Sequence, residues 1–450
     1  MKFSSLTPRY WVISLAVCCV LVSTSTILIA SSDNDDGVNK EAIFGPGDRK
    51  HGYDQETYVT NSLSVTARTG KQADLLQFVE QAPLGLPEMV IPDDNPITEE
   101  KVSLGRRLFF DRRLSLNDTF SCAICHIPEQ GFANNELATA IGLEGRSVKR
   151  NSPTMYNVGY YSVFFHDARE DSLEQQVWSP LLARNEMANP SIGYVINKIK
   201  RIEEYEGLFE AAFDGKGPTM ETVGMALASY QRTLNSGNSR FDQWYYGKQQ
   251  DALTEDEKEG FRLFTGKAKC SACHLINEEY ALFTDNQLHN TGHGYSVSMG
   301  KTPEKTRVQL APGVFVNVDA EIIDSVRQTP KQNDVGLYTI TQNPFDRWKF
   351  RTPILRNVAL TAPYMHDGAF TSLRKVVEFY NKGGVPNELL SPLITPLNLT
   401  DKEMDQLVAF MRSLTGDNIE ILVADGFAAP IGDIRSHDPN WAHDTEFKVE

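Results

Sequence analysis

The chain has 450 residues, of which 41% are hydrophobic and 23% are charged, and this is enough for two or three globular domains. Its formal net charge of −15 argues against nucleic acids and anionic membrane surfaces as partners. An acidic surface suits a partner with a basic face, although it is more often a source of solubility.

The first 30 residues have the pattern of an export signal. Lys2 and Arg9 precede a largely apolar stretch that runs from Trp11 to Ala30, after which the chain becomes polar. This pattern predicts a signal peptide that is cleaved near Ala30. The run is also long enough to remain as a membrane anchor. Residues 31–75 are polar and lack a clear period, which predicts a loosely ordered lead-in.

Helices are predicted around two short motifs. Thr98 is a candidate N-cap for a helix that precedes the first motif, and Thr254 begins a capping box before the second. Further helical patterns cover residues 196–213, 220–234, 373–380 and 400–414. Strand signals are few. The longest irregular segment is predicted over residues 282–345.

The two motifs read C-x-x-C-H. Two thiols about one helical turn apart can each form a thioether with a haem vinyl group, and the adjacent imidazole reaches the iron. A redox-active cysteine pair or half of a zinc site is the alternative for a single motif. Two such motifs predict two covalent c-type haems. The predicted attachment residues are Cys122, Cys125, Cys270 and Cys273, and the predicted iron ligands are His126 and His274.

The surroundings of the motifs repeat. Pro153, Asn157 and His166 recur 200 residues later as Pro353, Asn357 and His366. Such self-similarity predicts a mainly α fold with two cytochrome-c-like haem domains related by internal duplication. We place the domains at residues 76–245 and 246–430, followed by a C-terminal tail over residues 431–450.

The ordered motif set resembles the bacterial di-haem cytochrome c peroxidase and MauG family over roughly residues 90–430. It comprises C-x-x-C-H, R-x-x-P-T, L-E-x-Q, E-M, a second C-x-x-C-H and L-T-A-P-Y-x-H-D-G. The resemblance implies a periplasmic enzyme that reduces hydrogen peroxide at one haem while the other relays electrons. The match is closest to the MauG-like, or MbnH-like, branch.

The resemblance also implies an open first haem. Many family peroxidases carry a removable distal histidine shortly after the first motif. No histidine lies between His126 and His166 here, and Gly142 and its neighbours take that place. Glu186 matches the distal carboxylate, which moves protons to and from peroxide, and Gln176 matches the amide that orients it. Pro180 matches a pocket proline, or is simply a helix breaker.

The second haem and the space between the haems depart from the commoner family pattern. Tyr380 stands fourteen residues beyond His366, where electron-relay peroxidases carry a methionine ligand. The resemblance to MauG therefore implies a tyrosine ligand, with Met365 and Met299 as runners-up and a simple helix-end tyrosine as the alternative. His166 occupies the slot of the usual inter-haem tryptophan. Imidazole is much harder to oxidise than indole, so His166 is expected to bind a propionate or fill space.

Other aromatic residues are candidates for electron transfer in place of the missing tryptophan, namely Trp178, Tyr160 and Tyr161. The tryptophan that precedes the second motif in MauG is also missing, since Lys267-Ala268-Lys269 stand there. The family's calcium ion, which prefers oxygen ligands, maps onto Asn151, Thr361 and Pro363 by resemblance alone. His289 and His293 are possible ligands near the second motif, although they fit structural loop histidines better.

The sequence leaves three candidate functions. The leading one is a MauG-like peroxidase that forms a high-valent di-haem state and oxidises a protein partner. The alternatives are an ordinary peroxidase that takes electrons from a small c-type cytochrome, and a non-catalytic di-haem electron carrier.

Overall fold

The computed structural model describes residues 49–51, 57–59, 70–300, 305–311, 314–319, 322 and 333–432. The predicted signal or anchor over residues 1–30 lies outside these ranges. So do most of the lead-in and nearly all of the C-terminal tail. Within the described ranges, no helix is long and apolar enough to cross a membrane.

Helices dominate the described residues, which confirms the mainly α prediction. The helices are α1 Gln77–Glu80, α2 Glu99–Phe110, α3 Cys122–Cys125, α4 Leu173–Gln176, α5 Trp178–Leu182, α6 Ile192–Ile199, α7 Leu208–Ala212, α8 Met220–Thr233, α9 Arg240–Tyr245, α10 Glu255–Thr265, α11 His293–Met299, α12 Tyr338–Thr341, α13 Leu373–Asn381, α14 Asp401–Arg412 and α15 Ile419–Ala428. The strands are β1 Arg49–His51, β2 Thr57–Val59, β3 Leu288–His289, β4 Lys305–Ala311, β5 Val314–Asp319 and β6 Phe350–Arg351. They form three antiparallel pairs, β1 with β2, β3 with β6 and β4 with β5.

Local sequence signals set most helix starts. The Thr98 hydroxyl accepts a hydrogen bond from the Lys101 N–H, and Thr254 forms the expected capping box with Glu257. Two predictions were wrong in part. Residues 196–213 form two short helices because Gly207 adopts a left-handed φ of 77° between them. The segment 282–345 also contains α11, α12 and the β4–β5 pair.

Each C-x-x-C-H motif follows a helix that crosses a later helix at a glycine. In α2, a Cβ on Gly105 would collide with the Ala226 carbonyl oxygen of α8. In α10, a Cβ on Gly260 would collide with the Gln406 carbonyl oxygen of α14. The missing side chains therefore let both pairs of backbones touch.

Two hydrophobic clusters lie around these crossings. The first contains Phe109 and Tyr230, and the second is an aromatic group that includes Phe264 and Phe410. The last helix, α15, packs into the first cluster through residues such as Leu422, although it follows the second motif in sequence. The domain limits remain a prediction. Because α15 packs with the first cluster, it need not belong to the predicted second domain, although it lies within residues 246–430.

Matching backbone details recur at the repeated sequence positions. Asn157 and Asn357 have left-handed φ values of 59° and 61°, and each precedes a single 3₁₀ turn. Downstream, isolated bridges pair Phe164 with Glu170 and Tyr364 with Phe370. These matches support the internal duplication, which remains a prediction.

The helix crossings generate a stability prediction. Replacing Gly260 by alanine places a Cβ against a backbone carbonyl and forces α10 and α14 apart. We expect the free energy of unfolding to fall by about 1–3 kcal/mol. The matched control is Gly193→Ala in α6, where a Cβ meets nothing closer than 3.9 Å.

This control substitution is expected to raise stability by up to about 1 kcal/mol, because alanine favours helix over glycine. Urea unfolding of the two variants beside the parent protein measures both effects. Equal effects of the two substitutions would contradict the role of the crossing.

Candidate active site

Both predicted axial histidines present one free ring nitrogen. The His126 Nδ1 atom lies 3.2 Å from the Phe132 carbonyl oxygen, and the His274 Nδ1 atom lies 2.7 Å from that of Phe283. A carbonyl only accepts, so each Nδ1 carries the hydrogen and each Nε2 keeps its lone pair. Burial lowers the pKa of both imidazoles, which keeps them neutral. Both side chains are therefore prepared to bind iron.

The four motif cysteines sit beside these imidazoles on single turns and form no disulfide. Cys122 and Cys125 begin and end α3, and Cys270 opens a 3₁₀ turn. Burial raises the pKa of Cys122, Cys125 and Cys270 to about 12 and that of Cys273 to about 11. Two protonated thiols and a neutral imidazole on one turn fit covalent haem attachment.

A deep cavity opens at the second motif. Its walls near the cysteines are apolar and are formed by residues such as Phe264, Leu373, Val377, Leu407 and Met411. Arg351 and His366 also line it, and among the described residues the Arg351 Nη1 and His366 Nε2 atoms are buried without a hydrogen-bond partner. Since buried polar atoms are normally paired, these two fit the anionic propionates of a haem.

Tyr380 lies in the same cavity as His274. It projects from α13, and burial raises the pKa of its phenol above the ordinary value, with a further contribution from the nearby Cys273 and Cys270 thiols. Of the runner-up ligands, Met365 also lines the cavity. Met299 does not, and it is 59% exposed on α11.

Glu186 faces the first motif. Burial is the main cause of the raised pKa of Cys125, and the nearby Glu186 carboxylate is the second. The same carboxylate also raises the pKa of Cys122. Burial raises the pKa of Glu186 itself, and the Arg169 guanidinium opposes that rise. A half-buried carboxyl group with a raised pKa, next to a haem-attachment motif, suits a role in proton transfer.

Gly142 packs against the segment that carries Glu186. A Cβ at this position would collide with the Asn185 carbonyl oxygen and would stand 2.8 Å from the Glu186 Cα atom. The Leu143 N–H also donates to the Glu186 carbonyl oxygen at 3.0 Å. The segment in which relatives carry a distal histidine thus supports the Glu186 backbone here, and it leaves no room for a side chain at Gly142.

Pro180 lies close to the Glu186 segment, because the Met187 N–H donates to the Pro180 carbonyl oxygen at 3.2 Å. Gln176 ends the preceding helix α4 and is half-buried. Among the described residues, no hydrogen bond joins the Gln176 amide to the Glu186 carboxylate. The structure therefore brings Pro180 and Glu186 together by backbone contact, and it places Gln176 one helix away.

His166 is held on the wall of the second cavity by hydrogen bonds to the backbone. Its Nε2 atom lies 3.0 Å from the Asn151 carbonyl oxygen, and its own carbonyl accepts the Arg351 N–H at 2.8 Å. Burial, reinforced by the Arg150 charge, lowers the pKa of His166 to about 3. The ring is therefore a neutral donor on the wall of the second cavity.

The three residues assigned to calcium line this same cavity. The Asn151 Nδ2 atom donates to the Ala138 carbonyl oxygen at 2.9 Å, which leaves its Oδ1 atom available as an acceptor. The alternative histidines are otherwise engaged, because His289 pairs with Asp285 at 2.7 Å and His293 with Asp367 at 2.8 Å. Asn151 thus offers one oxygen of the kind that Ca²⁺ prefers to this cavity.

Comparisons with known proteins agree on one family. The model of the family described as di-haem cytochrome c peroxidase matches residues 99–250. The chain is 35% identical over 347 residues to the cytochrome-c peroxidase IdrP1 of Pseudomonas sp., covering 73% of this chain and 84% of that protein. It is 36% identical over 327 residues to the methylamine utilization protein MauG of Methylorubrum extorquens, covering 72% and 81%.

A solved structure agrees with these relatives. The crystal structure of a MauG-like protein associated with microbial copper homeostasis matches with a TM-score of 0.62 and 31% identity, covering 78% of this chain and 98% of that one. Proteins named as peroxidases and proteins named MauG thus match over similar shares of the chain. With these matches, the chain belongs to the di-haem cytochrome c peroxidase family, whose members are haem oxidoreductases that carry two c-type haems.

Proposed function

We propose that this protein is an exported, periplasmic peroxidase that reduces hydrogen peroxide at an open first haem and oxidises a protein partner, as in the MauG-like branch. The observation that carries the proposal is the contact of Gly142 with Asn185 and Glu186. A segment that is packed in this way offers no side chain to cap the first haem iron. Peroxide then reaches that iron without prior reduction of the protein.

Glu186 is the proposed acid–base residue. The haem supplies the iron at which peroxide binds and the oxidation–reduction chemistry. The Glu186 carboxylate accepts a proton from peroxide and returns it to the leaving oxygen, which departs as water. Its raised pKa suits both steps, because a carboxyl group that is fully ionised at all working pH values returns a proton poorly. Gln176 and Pro180 are proposed to shape the pocket.

Tyr380 is the proposed second ligand of the other haem. Burial raises the pKa of this phenol, so only a strong cation in the cavity keeps it ionised. A phenolate stabilises a higher positive charge at iron than a neutral methionine does. This choice favours a site that stores oxidising equivalents over one that only passes electrons from a small cytochrome.

We also propose that Asn151, Thr361 and Pro363 hold a calcium ion between the haem sites. Their shared position on the cavity wall and the available Asn151 Oδ1 atom support this. The ordinary cytochrome c peroxidase remains the second candidate, and the similarity to IdrP1 favours it.

Spectroscopy of the fully oxidised protein tests the branch. We expect one high-spin and one low-spin ferric signal in the EPR spectrum, and a change in the haem absorption on addition of one equivalent of peroxide. An ordinary peroxidase would need prior reduction. Two low-spin signals without peroxide turnover would identify an electron carrier instead.

A pair of variants tests whether Tyr380 or Met365 is the second ligand of the other haem. Tyr380→Phe is expected to alter the low-spin signal, and Met365→Leu is expected to preserve it. The reverse result would make Met365 the ligand.

The acid–base assignment is tested by Glu186→Gln. We expect the rate of the peroxide reaction, measured by stopped flow, to fall about 10²- to 10⁴-fold. Because burial raises the pKa of Glu186, its carboxylate accumulates at a higher pH than in an ordinary glutamate. The parent rate should therefore rise as pH rises through that pKa, and the variant rate should not respond to pH.

The control for this experiment is Glu221→Gln, an exposed carboxylate in the first turn of α8. It should retain the parent rate and pH profile. A Glu186→Gln variant with the same rate and profile would remove Glu186 from the mechanism.

A further inference from the structure

The proposed function requires oxidising equivalents to pass from the second haem cavity to a protein partner. In this chain, His166 and Lys269 stand near the positions where the family's tryptophans are expected. A neutral imidazole is a poor carrier of a positive hole, and a lysine cannot carry one. Another oxidisable side chain must therefore connect the cavity with the surface.

We propose that Trp348, packed edge-to-face against Tyr295, is the station through which oxidising equivalents leave the second haem cavity toward a protein partner. This inference rests on the proposed function and adds a residue and an exit route to it.

Trp348 lies directly behind the cavity wall. Phe350 and His366 line the cavity, and their rings stack with centroids 3.8 Å apart and an interplanar angle of 12°. Gly294 in α11 packs against both the Phe350 ring and the Trp348 Cβ atom. A Cβ on Gly294 would stand 2.6 Å from the Phe350 Cε2 atom and 3.4 Å from the Trp348 Cβ atom. Trp348 is thus in the layer next to a wall residue.

The surroundings of the indole suit a transient radical. The Tyr295 ring centroid lies 5.0 Å away at an angle of 84°, and both residues are half-buried. Among the described residues, the Trp348 Nε1 atom is buried without a hydrogen-bond acceptor. The oxidised indole therefore keeps its N–H proton and its positive charge, which the neighbouring aromatic ring can stabilise.

The backbone at Trp348 is strained. Its φ is 61°, a left-handed conformation that bulky side chains rarely adopt. The strained residue is held by a hydrogen bond from its N–H to the Val335 carbonyl oxygen at 2.9 Å. Residues held in this conformation are concentrated at functional positions. A large aromatic side chain retained in such a conformation supports a role beyond packing.

The other aromatic candidates are less suitable. Tyr161 lines the cavity, but the Arg351 guanidinium lies 3.3 Å from its ring centroid and opposes the loss of an electron. Trp244 is separated from the wall residue Phe264 by two further rings, for example those of Phe261 and Phe410. Trp178 lies in the first hydrophobic cluster and is 4% exposed.

The redox balance is simple. Each peroxide molecule takes up two electrons and two protons to give two water molecules. Trp348 loses one electron at a time to the peroxide-oxidised centre in the cavity, and no bond to Trp348 forms or breaks. One electron from an indole or phenol side chain of the partner then restores it. Two such cycles complete one turnover, and the partner is the species that is finally oxidised.

The experiment treats the haem-containing protein with a few equivalents of peroxide in the absence of any electron donor. A freeze-quenched sample is examined by EPR, and a digest is mapped by mass spectrometry. We expect an organic radical, and oxidised peptides that contain Trp348 or Tyr295. Trp348→Phe should lower the radical yield and this peptide oxidation at least tenfold, and the matched control Trp244→Phe should leave both unchanged.

The outcomes separate the two proposals. If peroxide changes the haem absorption but the parent peptides with Trp348 and Tyr295 stay unmodified, or if oxidation maps to Trp244 or Trp178, the exit route is wrong and the proposed function stands. If peroxide leaves the haem absorption unchanged, both proposals fall. Peptide mapping of the parent protein decides the point even if Trp348→Phe does not fold.

Discussion

The structure depends on one geometric constraint: two thiols and an imidazole must share a single turn against an apolar cavity wall. At the second motif that turn follows α10, and the wall is built where α10 crosses α14 at Gly260. The hydrogen bond from the His274 Nδ1 atom to the Phe283 carbonyl oxygen then fixes which nitrogen remains free. The packing of α10 on α14, the orientation of the His274 ring and its protonation state therefore all contribute to the same site.

In the proposed function, the two motifs share one kind of scaffold but differ in chemistry because neighbouring residues differ. Near the first motif, Gly142 supports the Glu186 backbone and contributes no side chain, while burial adjusts the carboxyl pKa. Near the second motif, Tyr380 adds a phenol to the cavity wall. Under this proposal, the residue at position 142 decides whether peroxide can enter the first site, and the residue at position 380 decides how much oxidation the second site tolerates. The packing around the motifs can stay the same.

Short-range signals allowed much of this fold to be predicted. Capping by Thr98 and Thr254 spans three residues, and the haem motifs span five, so the sequence displays them directly. Contacts between distant segments were less accessible. Nothing in the sequence near Ile419 shows that α15 packs into the first cluster. The contact of Gly142 with Asn185 joins residues that are 43 positions apart. The sequence alone showed only that no histidine lies near Gly142.

The most informative contacts that the sequence did not show surround the start of the repeated R-T-P segment at Arg351. Phe350 and Trp348 meet a distant helix because Gly294 in α11 packs against both. Burial lowers the pKa of His166 and keeps its imidazole neutral, and the positive charges of Arg150 and Arg351 reinforce this and suit anionic haem propionates. That charge also disfavours a positive hole between the haems. The proposed exit therefore uses Trp348 and Tyr295, whose rings pack edge-to-face, and not His166.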